Sequence, residues 1–264
     1  MTAEALATAS AANGLTAAFG GKVALITGGT SGIGQATALA FARRGACVAI
    51  AGRSLERGAA VVAKIEATGA EALFVPANLC EALEIESIVP AVLERFGRLD
   101  VAFNNAGYQE PRALLAEQPA EAYDTVFDTN LRAVFLSMQA EIRAMLPAGG
   151  VIVNNASISG VRNPNPGLAL YSASKAAVIS MTRSAAMEYA DRGIRINAVS
   201  PGRVTTPMML ASKIADMKAV AAGLPLKRMG DPEEVAAAVL WLASDASSFV
   251  VGHNLSVDGG FLSQ

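Results

Sequence analysis

The chain has 264 residues, of which 52% are apolar and 5% aromatic, and its 21 basic and 23 acidic side chains give a formal charge of −2. This apolar content excludes a disordered chain, and a sequence pI near 5.6 argues against nucleic-acid binding through a broad basic surface. Because α/β chains of about 250 residues often form one domain, we expect a single domain over 21–264 after an N-terminal tail at 1–20.

Short apolar runs alternate with longer segments of helical periodicity. The runs predict buried strands over 23–27, 47–51, 72–77, 99–104, 150–155, 194–199 and 255–257. The periodic segments predict helices over 32–44, 55–68, 82–96, 120–146 and 171–191, and a further helix that starts near Asp231. Since parallel neighbours need crossover connections, this alternation predicts an α/β fold, a doubly wound parallel sheet of about seven strands with helices on both faces.

The cysteines and the lack of long apolar runs bear on the compartment. Cys47 and Cys80 lie in or beside apolar runs, which argues against a disulfide framework and favours a reducing compartment, so we expect the cytoplasm. The first 21 residues carry no Lys or Arg, and no stretch approaches the ~18 apolar residues of a membrane span. We therefore expect neither a signal peptide nor a membrane partner.

The segment 205–230, between the sixth strand and the last helix, is rich in Met, Ala and Lys and weakly periodic. Two interpretations stay open: a substrate lid, or an ordinary surface helix whose methionines pack inward. On the last helix we interpret Trp241 as a core residue. His253 is the only histidine. A His-based triad or a multi-histidine site is therefore excluded, and we expect no metal.

The first strand is followed by TGGTSGIG at 27–34, whose spaced glycines are Gly28, Gly32 and Gly34. This spacing differs from the GxGxxG fingerprint. Glycines still allow positive φ and close backbone approach, so free N–H groups and the positive end of the next helix can face a pyrophosphate. Tight turns also use glycine, but the strand before and the helix after favour cofactor binding, with Ile33 also in contact.

The end of the second strand indicates which dinucleotide binds. A carboxylate commonly stands there to bind the ribose 2′-hydroxyl, whereas this chain has Arg53. The guanidinium can form a charge-assisted pair with a 2′-phosphate, and Thr30 and Ser31 can add hydroxyl contacts. We therefore predict NADP(H) over NAD(H); the alternative is that Arg53 is a solvated residue at a helix start.

YSASK at 171–175 places Tyr171 and Lys175 on one helix face, an arrangement that is common by chance. Further motifs make it specific: NNAG at 104–107, Asn130, Ser157, PGRVTTPM at 201–208 and VDGG at 257–260. Together with the glycine turn, and in the same order, these motifs resemble the short-chain dehydrogenase/reductase family from about residue 21 to 261. The resemblance implies a Rossmann-like oxidoreductase.

The resemblance also implies residue roles. Ser157, Tyr171 and Lys175 would carry catalysis, joined by Asn130, which would hold a water that links Lys175 to solvent. The predicted cofactor contacts are Asn104 and Gly107 at the adenosine side, Pro201, Gly202, Val204 and Thr206 at the nicotinamide, and in addition Asn78, Leu79 and Ala106. Asn78 stands where the family often has an aspartate near the adenine. Tyr171 and Lys175 would contact the cofactor as well.

These residue types suit ketone reduction, which needs a hydride on carbon and a proton on oxygen. A free tyrosine has a pKa of ~10, so we expect the adjacent Lys175 ammonium to lower the pKa of Tyr171, and Ser157 to stabilise the developing alkoxide. The predicted function is NADPH-dependent reduction of a ketone to a secondary alcohol, or the reverse. The substrate pocket is expected to involve Tyr108, Ile158, Asn163, Leu168 and Met208.

The motifs do not choose the substrate. Reduction of 3-oxoacyl thioesters and oxidation of sugars, polyols or steroids share them. A non-catalytic NADPH-binding sensor or scaffold is an alternative of another class, against which the complete set of catalytic residues argues, and a lyase or epimerase that uses the cofactor transiently is a third. The small residues on the long helices, together with the resemblance, predict a homotetramer.

Overall fold

The computed structural model describes residues 18–163, 166–212 and 216–264. Most of the predicted N-terminal tail, 1–17, lies outside the described residues, as do residues 213–215 of the candidate lid.

Within these ranges, seven parallel strands form one sheet in the order β3-β2-β1-β4-β5-β6-β7. The strands are β1 (Val23–Thr27), β2 (Cys47–Gly52), β3 (Ala72–Pro76), β4 (Val101–Asn104), β5 (Gly150–Asn155), β6 (Ile194–Pro201) and β7 (Asn254–Val257). The strand order reverses between β1 and β4, where open α/β sheets bind ligands. The predicted doubly wound, Rossmann-like sheet is confirmed.

Helices cover both faces of the sheet. Those in the described ranges are α1 (Gly32–Ala42), α2 (Leu55–Glu66), α3 (Ala82–Phe96), α4 (Ala120–Phe127), α5 (Ala133–Met145), α6 (Ala169–Tyr189), the short α7 (Pro207–Ala211) and α8 (Met217–Ala222), and α9 (Pro232–Ala243). Because successive strand residues face opposite ways, Leu25 of β1 packs in a core with α3, α5 and α6, whereas Ile26 packs in a second core with α1, α2 and α9. The carboxyl edge of the sheet is left for a site.

The predicted helix over 120–146 is interrupted. A π-helical turn, Asp128–Arg132, separates α4 from α5 and buries Asn130 completely. Hydrophobic periodicity averages over the wider turn, so the sequence did not reveal it. This turn carries a predicted site residue, a common position for such an irregularity.

Trp241 corrects another expectation, because it is 41% exposed on α9 rather than in the core. The buried stripe of α9 contains Val235, Val239 and Leu242. A tryptophan on an otherwise apolar helix could not be assigned to a face from composition alone. No helix in the described ranges is long and apolar enough to cross a membrane.

Candidate active site

One cavity of about 480 Å³ lies along the carboxyl edge of the sheet. It contains both the glycine turn after β1 and the YSASK segment of α6. Of the residues predicted from the sequence, its walls include Gly28, Thr30, Ser31, Gly32, Ile33, Arg53, Asn78, Leu79, Ala106, Gly107, Tyr108, Ser157, Ile158, Leu168, Tyr171, Lys175, Pro201, Gly202, Val204, Thr206 and Met208. The fold thus brings most of the predicted cofactor and catalytic residues to one cavity.

The glycine turn exposes bare backbone to the cavity. Gly28 and Gly32 have φ of +64° and +51°, a region that favours glycine. A Cβ on Gly28 would stand 2.9 Å from the Cα of Ala106, and one on Gly34 would overlap the Gly28 carbonyl oxygen. Gly34 does not line the cavity, which differs from its predicted cofactor contact. Its missing side chain instead lets the first turn of α1 pack closely against Gly28.

Two guanidinium groups face the cavity at the end of β2. Arg53 follows the last strand residue, and Arg57 lies in the first turn of α2, where its backbone N–H donates to the Ser54 cap at 3.3 Å. Neither forms an ion pair within the described ranges. The sequence analysis identified Arg53 and missed Arg57. The spacing of four residues across the start of a helix could have indicated that both side chains face the same site.

Asn104 does not reach the cavity, which corrects its predicted place beside the adenosine. It is buried, and its Nδ2 donates to Glu141 Oε2 at 2.9 Å and to Asn154 Oδ1 at 3.0 Å. The neighbouring Asn105 lines the cavity instead, with its Nδ2 donating to the carbonyls of Thr27 and Gly28 at 3.1 and 3.2 Å. The NNAG motif located the site but not which asparagine faces it.

Ser157 and Tyr171 meet at the reaction end of the cavity. Ser157 follows β5 and Tyr171 lies in the first turn of α6, and both residues line the same cavity. Burial raises the pKa of Tyr171 above its ordinary value; the nearby Ser157 hydroxyl and the charge of Arg203 oppose this rise, and the charge of Glu110 adds to it. This differs from the expected lowering of the Tyr171 pKa by Lys175.

The surroundings of Lys175 account for the absence of the expected lowering of the Tyr171 pKa. It is only 2% exposed, its Nζ donates to the Asn155 carbonyl at 2.7 Å, and Nζ lies 5.8 Å from the Tyr171 ring centroid. Burial lowers the pKa of Lys175 to about 8. The ammonium is thus held at the end of β5, with one donor already used by the backbone.

Asn130 contacts residues that line the cavity without lining it itself. Its Oδ1 accepts from the Tyr108 N–H at 2.7 Å, and its Nδ2 donates to the Tyr108 carbonyl at 2.8 Å and to Ser174 Oγ at 3.0 Å. The side chain does not line the cavity. Both amide hydrogens and one acceptor bond of Oδ1 join the loop after β4 to α6, so the side chain positions these segments and has no N–H left to hold the predicted water.

The prediction from sequence missed a buried carboxyl group that accepts a hydrogen bond from the Tyr171 backbone. Glu110 is 1% exposed, and its Oε1 accepts from the Tyr171 backbone N–H at 3.1 Å. Its Oε2 has no hydrogen-bond partner within the described ranges. The two residues are 61 positions apart, so no local pattern could indicate their contact.

The wall beyond Tyr171 is largely apolar. Ile158 and Leu168 are buried there, and Tyr108 and Met208 are more exposed. Asn163, predicted for this pocket, does not line the cavity; its Nδ2 donates to Ser172 Oγ at 2.5 Å. It faces α6 rather than the cavity.

The segment after β6 closes one side of the cavity. Val204 forms a parallel bridge with Gly230, so the chain between them leaves and returns at one point. The first part of this segment contributes Thr206, Pro207, Met208 and Met209 to the wall. The side chain of Thr206 also caps α7, where it accepts from the Met209 N–H at 3.2 Å.

The cavity walls fit a nicotinamide dinucleotide. The bare glycine backbone at the start of α1 suits a pyrophosphate, because free N–H groups and the positive helix end attract anions. Arg53 and Arg57 suit a further phosphate, and among the described residues no Asp or Glu lines the cavity to repel it. No group of three His, Cys, Asp or Glu side chains in the described ranges could hold a metal ion.

Comparison with known proteins agrees with this site. A family model described as enoyl-(acyl carrier protein) reductase matches residues 28–262. Cyclohexanol dehydrogenase of Acinetobacter sp. strain SE19 is 43% identical over 247 residues, 93% of this chain and 97% of that protein.

Solved structures with high similarity include proteins bound to either nicotinamide cofactor. A short-chain dehydrogenase from Burkholderia cenocepacia J2315 in complex with NADP has a TM-score of 0.86 and 37% identity, covering 92% of this chain and 98% of that one. NAD⁺-bound xylitol dehydrogenase has a TM-score of 0.86 and 34% identity, covering 92% and 99%. From its fold, its site and these relatives, the chain belongs to the short-chain dehydrogenase/reductase family.

Proposed function

We propose that this oxidoreductase reduces a ketone to a secondary alcohol with NADPH, reversibly, and that Tyr171 is the general acid and base. The observation that carries the proposal is that Ser157, Tyr171 and Lys175 line the same cavity as the glycine turn. A bound nicotinamide supplies the hydride chemistry. The protein must then supply the proton and stabilise charge on the oxygen.

The hydroxyl pair divides these tasks. A raised pKa keeps the Tyr171 phenol protonated at neutral pH, and this is the form that donates a proton to a ketone oxygen. Ser157 donates a hydrogen bond to the same oxygen and stabilises the developing alkoxide. Lys175, held by the Asn155 carbonyl, keeps a positive charge near the ring of Tyr171 below about pH 8.

A panel of ketones tests the proposal, with loss of NADPH absorbance as the measurement. Since the relative from Acinetobacter is a cyclohexanol dehydrogenase, cyclohexanone is the first member, followed by 3-oxoacyl thioesters and by keto sugars. Tyr171→Phe should reduce turnover by at least about a hundredfold and leave NADPH binding intact, because only the proton donor is removed. NADPH binding without turnover of any ketone by the unmutated protein would indicate a sensor or scaffold instead.

We propose NADP(H) as the cofactor because of the charges at the end of β2. Arg53 and Arg57 stand at the cavity where a ribose-binding carboxylate would favour NAD(H). The ratio of kcat/KM for NADPH to that for NADH is the measurement. We expect a ratio well above one that falls at least about tenfold in Arg53→Ala, since a charge-assisted pair is lost. A preference of the unmutated protein for NADH would contradict this assignment.

We further propose that the segment 205–230 acts as a substrate lid and that the protein is a homotetramer. The lid proposal is supported by the first part of this segment, which lines the cavity, and by the bridge between Val204 and Gly230, which brings its two ends together. The assembly is supported by exposed aromatic and Met side chains on α4, α5 and α6, namely Tyr123, Phe135 and Met187. Light scattering that gives a monomer mass would contradict the tetramer.

A further inference from the structure

Arg203 is a cation at the reaction end of the cavity to which the chemistry above gives no role. It lines the same cavity as Tyr171, Leu168 and Met208, and its charge acts on Tyr171. Its backbone is fixed, because the Gly230 N–H donates to the Arg203 carbonyl at 2.8 Å and the neighbouring Gly202 N–H donates to the Val257 carbonyl at 2.9 Å. The guanidinium therefore projects from a well-anchored turn.

Among the described residues no acid forms an ion pair with this guanidinium, although Arg203 also lines a second cavity whose walls include acidic side chains. Arg203 is partly buried, and within the described ranges its side chain makes no hydrogen bond and no ion pair. The charged side chains that line the cavity are Arg53, Arg57, Lys175 and Arg203, with no acid among the described lining residues. Burial lowers the pKa of Arg203, and the neighbouring Arg112 charge lowers it further, whereas Tyr171 raises it.

Most buried charges in proteins are paired, because an unpaired one loses hydration without compensation. Arg53 and Arg57 stand at the far end of the cavity, at β2, and suit a phosphate there. The charge of Arg203 instead acts on the proton donor, and the walls of the same cavity include the apolar Ile158 and Leu168. An anion attached to an apolar body therefore suits both this partly buried guanidinium and the apolar walls of the cavity.

We propose that Arg203 recognises a carboxylate on the substrate, so that the enzyme prefers keto acids or hydroxy acids with an apolar ring or chain over neutral ketones. The planar guanidinium can donate two parallel hydrogen bonds to a carboxylate, which fixes the orientation of the substrate as well as its affinity. This inference rests on the proposed function for the reaction, but the charge preference can be measured without turnover.

The binding test uses two unreactive probes of nearly equal shape, cyclohexanecarboxylate and cyclohexanecarboxamide. Each is titrated calorimetrically into the NADPH-loaded protein. The carboxylate should bind at least about tenfold more tightly than the amide, and Arg203→Leu should abolish this preference. Arg43→Leu is the matched control, since it removes an exposed arginine outside the cavity and should keep the preference.

Any of three results in this titration would overturn the proposal: equal affinity for both probes, no carboxylate binding at millimolar concentration, or a preference that survives in Arg203→Leu. NADPH binding is followed by fluorescence in the same variants. A large loss of NADPH affinity in Arg203→Leu would also overturn it, because Arg203 would then serve the cofactor phosphates.

Turnover separates this inference from the proposed function. For 4-oxocyclohexanecarboxylate and its methyl ester, Arg203→Leu should lower kcat/KM at least about tenfold for the acid and much less for the ester. An equal loss for both ketones would show that Arg203 serves the proton donor, not the substrate anion. Carboxylate binding without reduction of any ketone would reject the proposed function and leave the Arg203 site standing.

Discussion

Glu141 is a carboxyl group buried in the core of the protein, 37 residues along the chain from Asn104 and beside it in space. Its Oε2 accepts from Asn104 Nδ2 at 2.9 Å, and its Oε1 has no hydrogen-bond partner within the described ranges. Burial raises the pKa of Glu141 to about 8, against which the Asn104 hydrogen bond acts only in part. At neutral pH this carboxyl group is therefore protonated.

This protonation predicts how stability depends on pH. Between about pH 4.5 and 8 the folded state keeps a proton that the unfolded state has released, so the free energy of unfolding falls as pH rises, by at most about 1.4 kcal/mol per unit from this group. Glu141→Gln should remove this component. The stability of the variant relative to the unmutated protein should therefore rise across this window and level off above about pH 8.

Urea denaturation at several pH values is the measurement. Glu86→Gln is the control, because Glu86 is exposed on α3 and outside any ion pair of the described residues, and its effect should be small at every pH. A stability difference for Glu141→Gln that does not change with pH would mean that Glu141 ionises normally.

Tyr171 predicts opposite pH profiles for the two directions of reaction. Burial raises its pKa, so the phenol that donates a proton in reduction is present at neutral pH, whereas alcohol oxidation needs the phenolate. Initial kcat/KM for oxidation should rise with pH from about 7 to 10, by up to roughly tenfold per unit. Reduction should show no such rise. A flat profile for oxidation would remove Tyr171 from the role of base.

At the scale of elements, the π-helical turn Asp128–Arg132 decides how the loop after β4 meets α6. Asn130 in this turn makes three hydrogen bonds, two to the Tyr108 backbone and one to Ser174, next to Lys175. All three link segments distant in sequence. The turn therefore fixes Tyr108, which lines the cavity, relative to α6.

Asn130→Ala should destabilise the fold by about 2–4 kcal/mol, because it leaves buried polar groups without partners. It should also lower kcat, since Tyr108 lines the cavity. Denaturation and turnover are the measurements. Gln118→Ala is the matched control: it removes hydrogen bonds to the Pro111 and Ala113 carbonyls of the same loop, nearer the surface where water can replace them, and should cost less than about 1 kcal/mol. Equal effects of both variants would contradict the special role of the turn.

The elements also show what sequence patterns can predict. Apolar runs placed all seven strands within two residues of their observed ends, because buried parallel strands have a strong and local signal. Periodicity placed α3 correctly and merged α4 with α5. Asn130 in the break bonds to Tyr108, 22 positions away, a contact that a local sequence pattern does not contain.

The site likewise contains residues that motifs predict and residues that only the fold reveals. Motifs led to Ser157, Tyr171 and Lys175, which the fold brings to one cavity. They did not reveal Glu110 or Arg203, because the importance of these two comes from a buried contact and from a missing counter-ion. The motifs also chose Asn104 where Asn105 faces the cavity, a one-residue error that reverses the side of the strand on which a residue lies.

At the scale of the whole molecule, the cavity is formed by segments that only the folded sheet brings together, from Gly28 after β1 to Met209 after β6. The unfolded chain has no such surface, so a dinucleotide binds the folded state alone and stabilises it by mass action. The thermal stability of the protein therefore measures cofactor choice without any substrate.

At a concentration of about 100 times its Kd, NADPH should add about 2.7 kcal/mol and raise the Tm by roughly 5–10 °C. NADH at the same concentration should raise the Tm less, because it lacks the phosphate that Arg53 and Arg57 face. Arg53→Ala should bring the two shifts together by reducing the NADPH effect. Tyr171→Phe, which changes the proton donor alone, should keep the difference between the two cofactors. Equal shifts in the unmutated protein would mean that the charges after β2 do not select the cofactor.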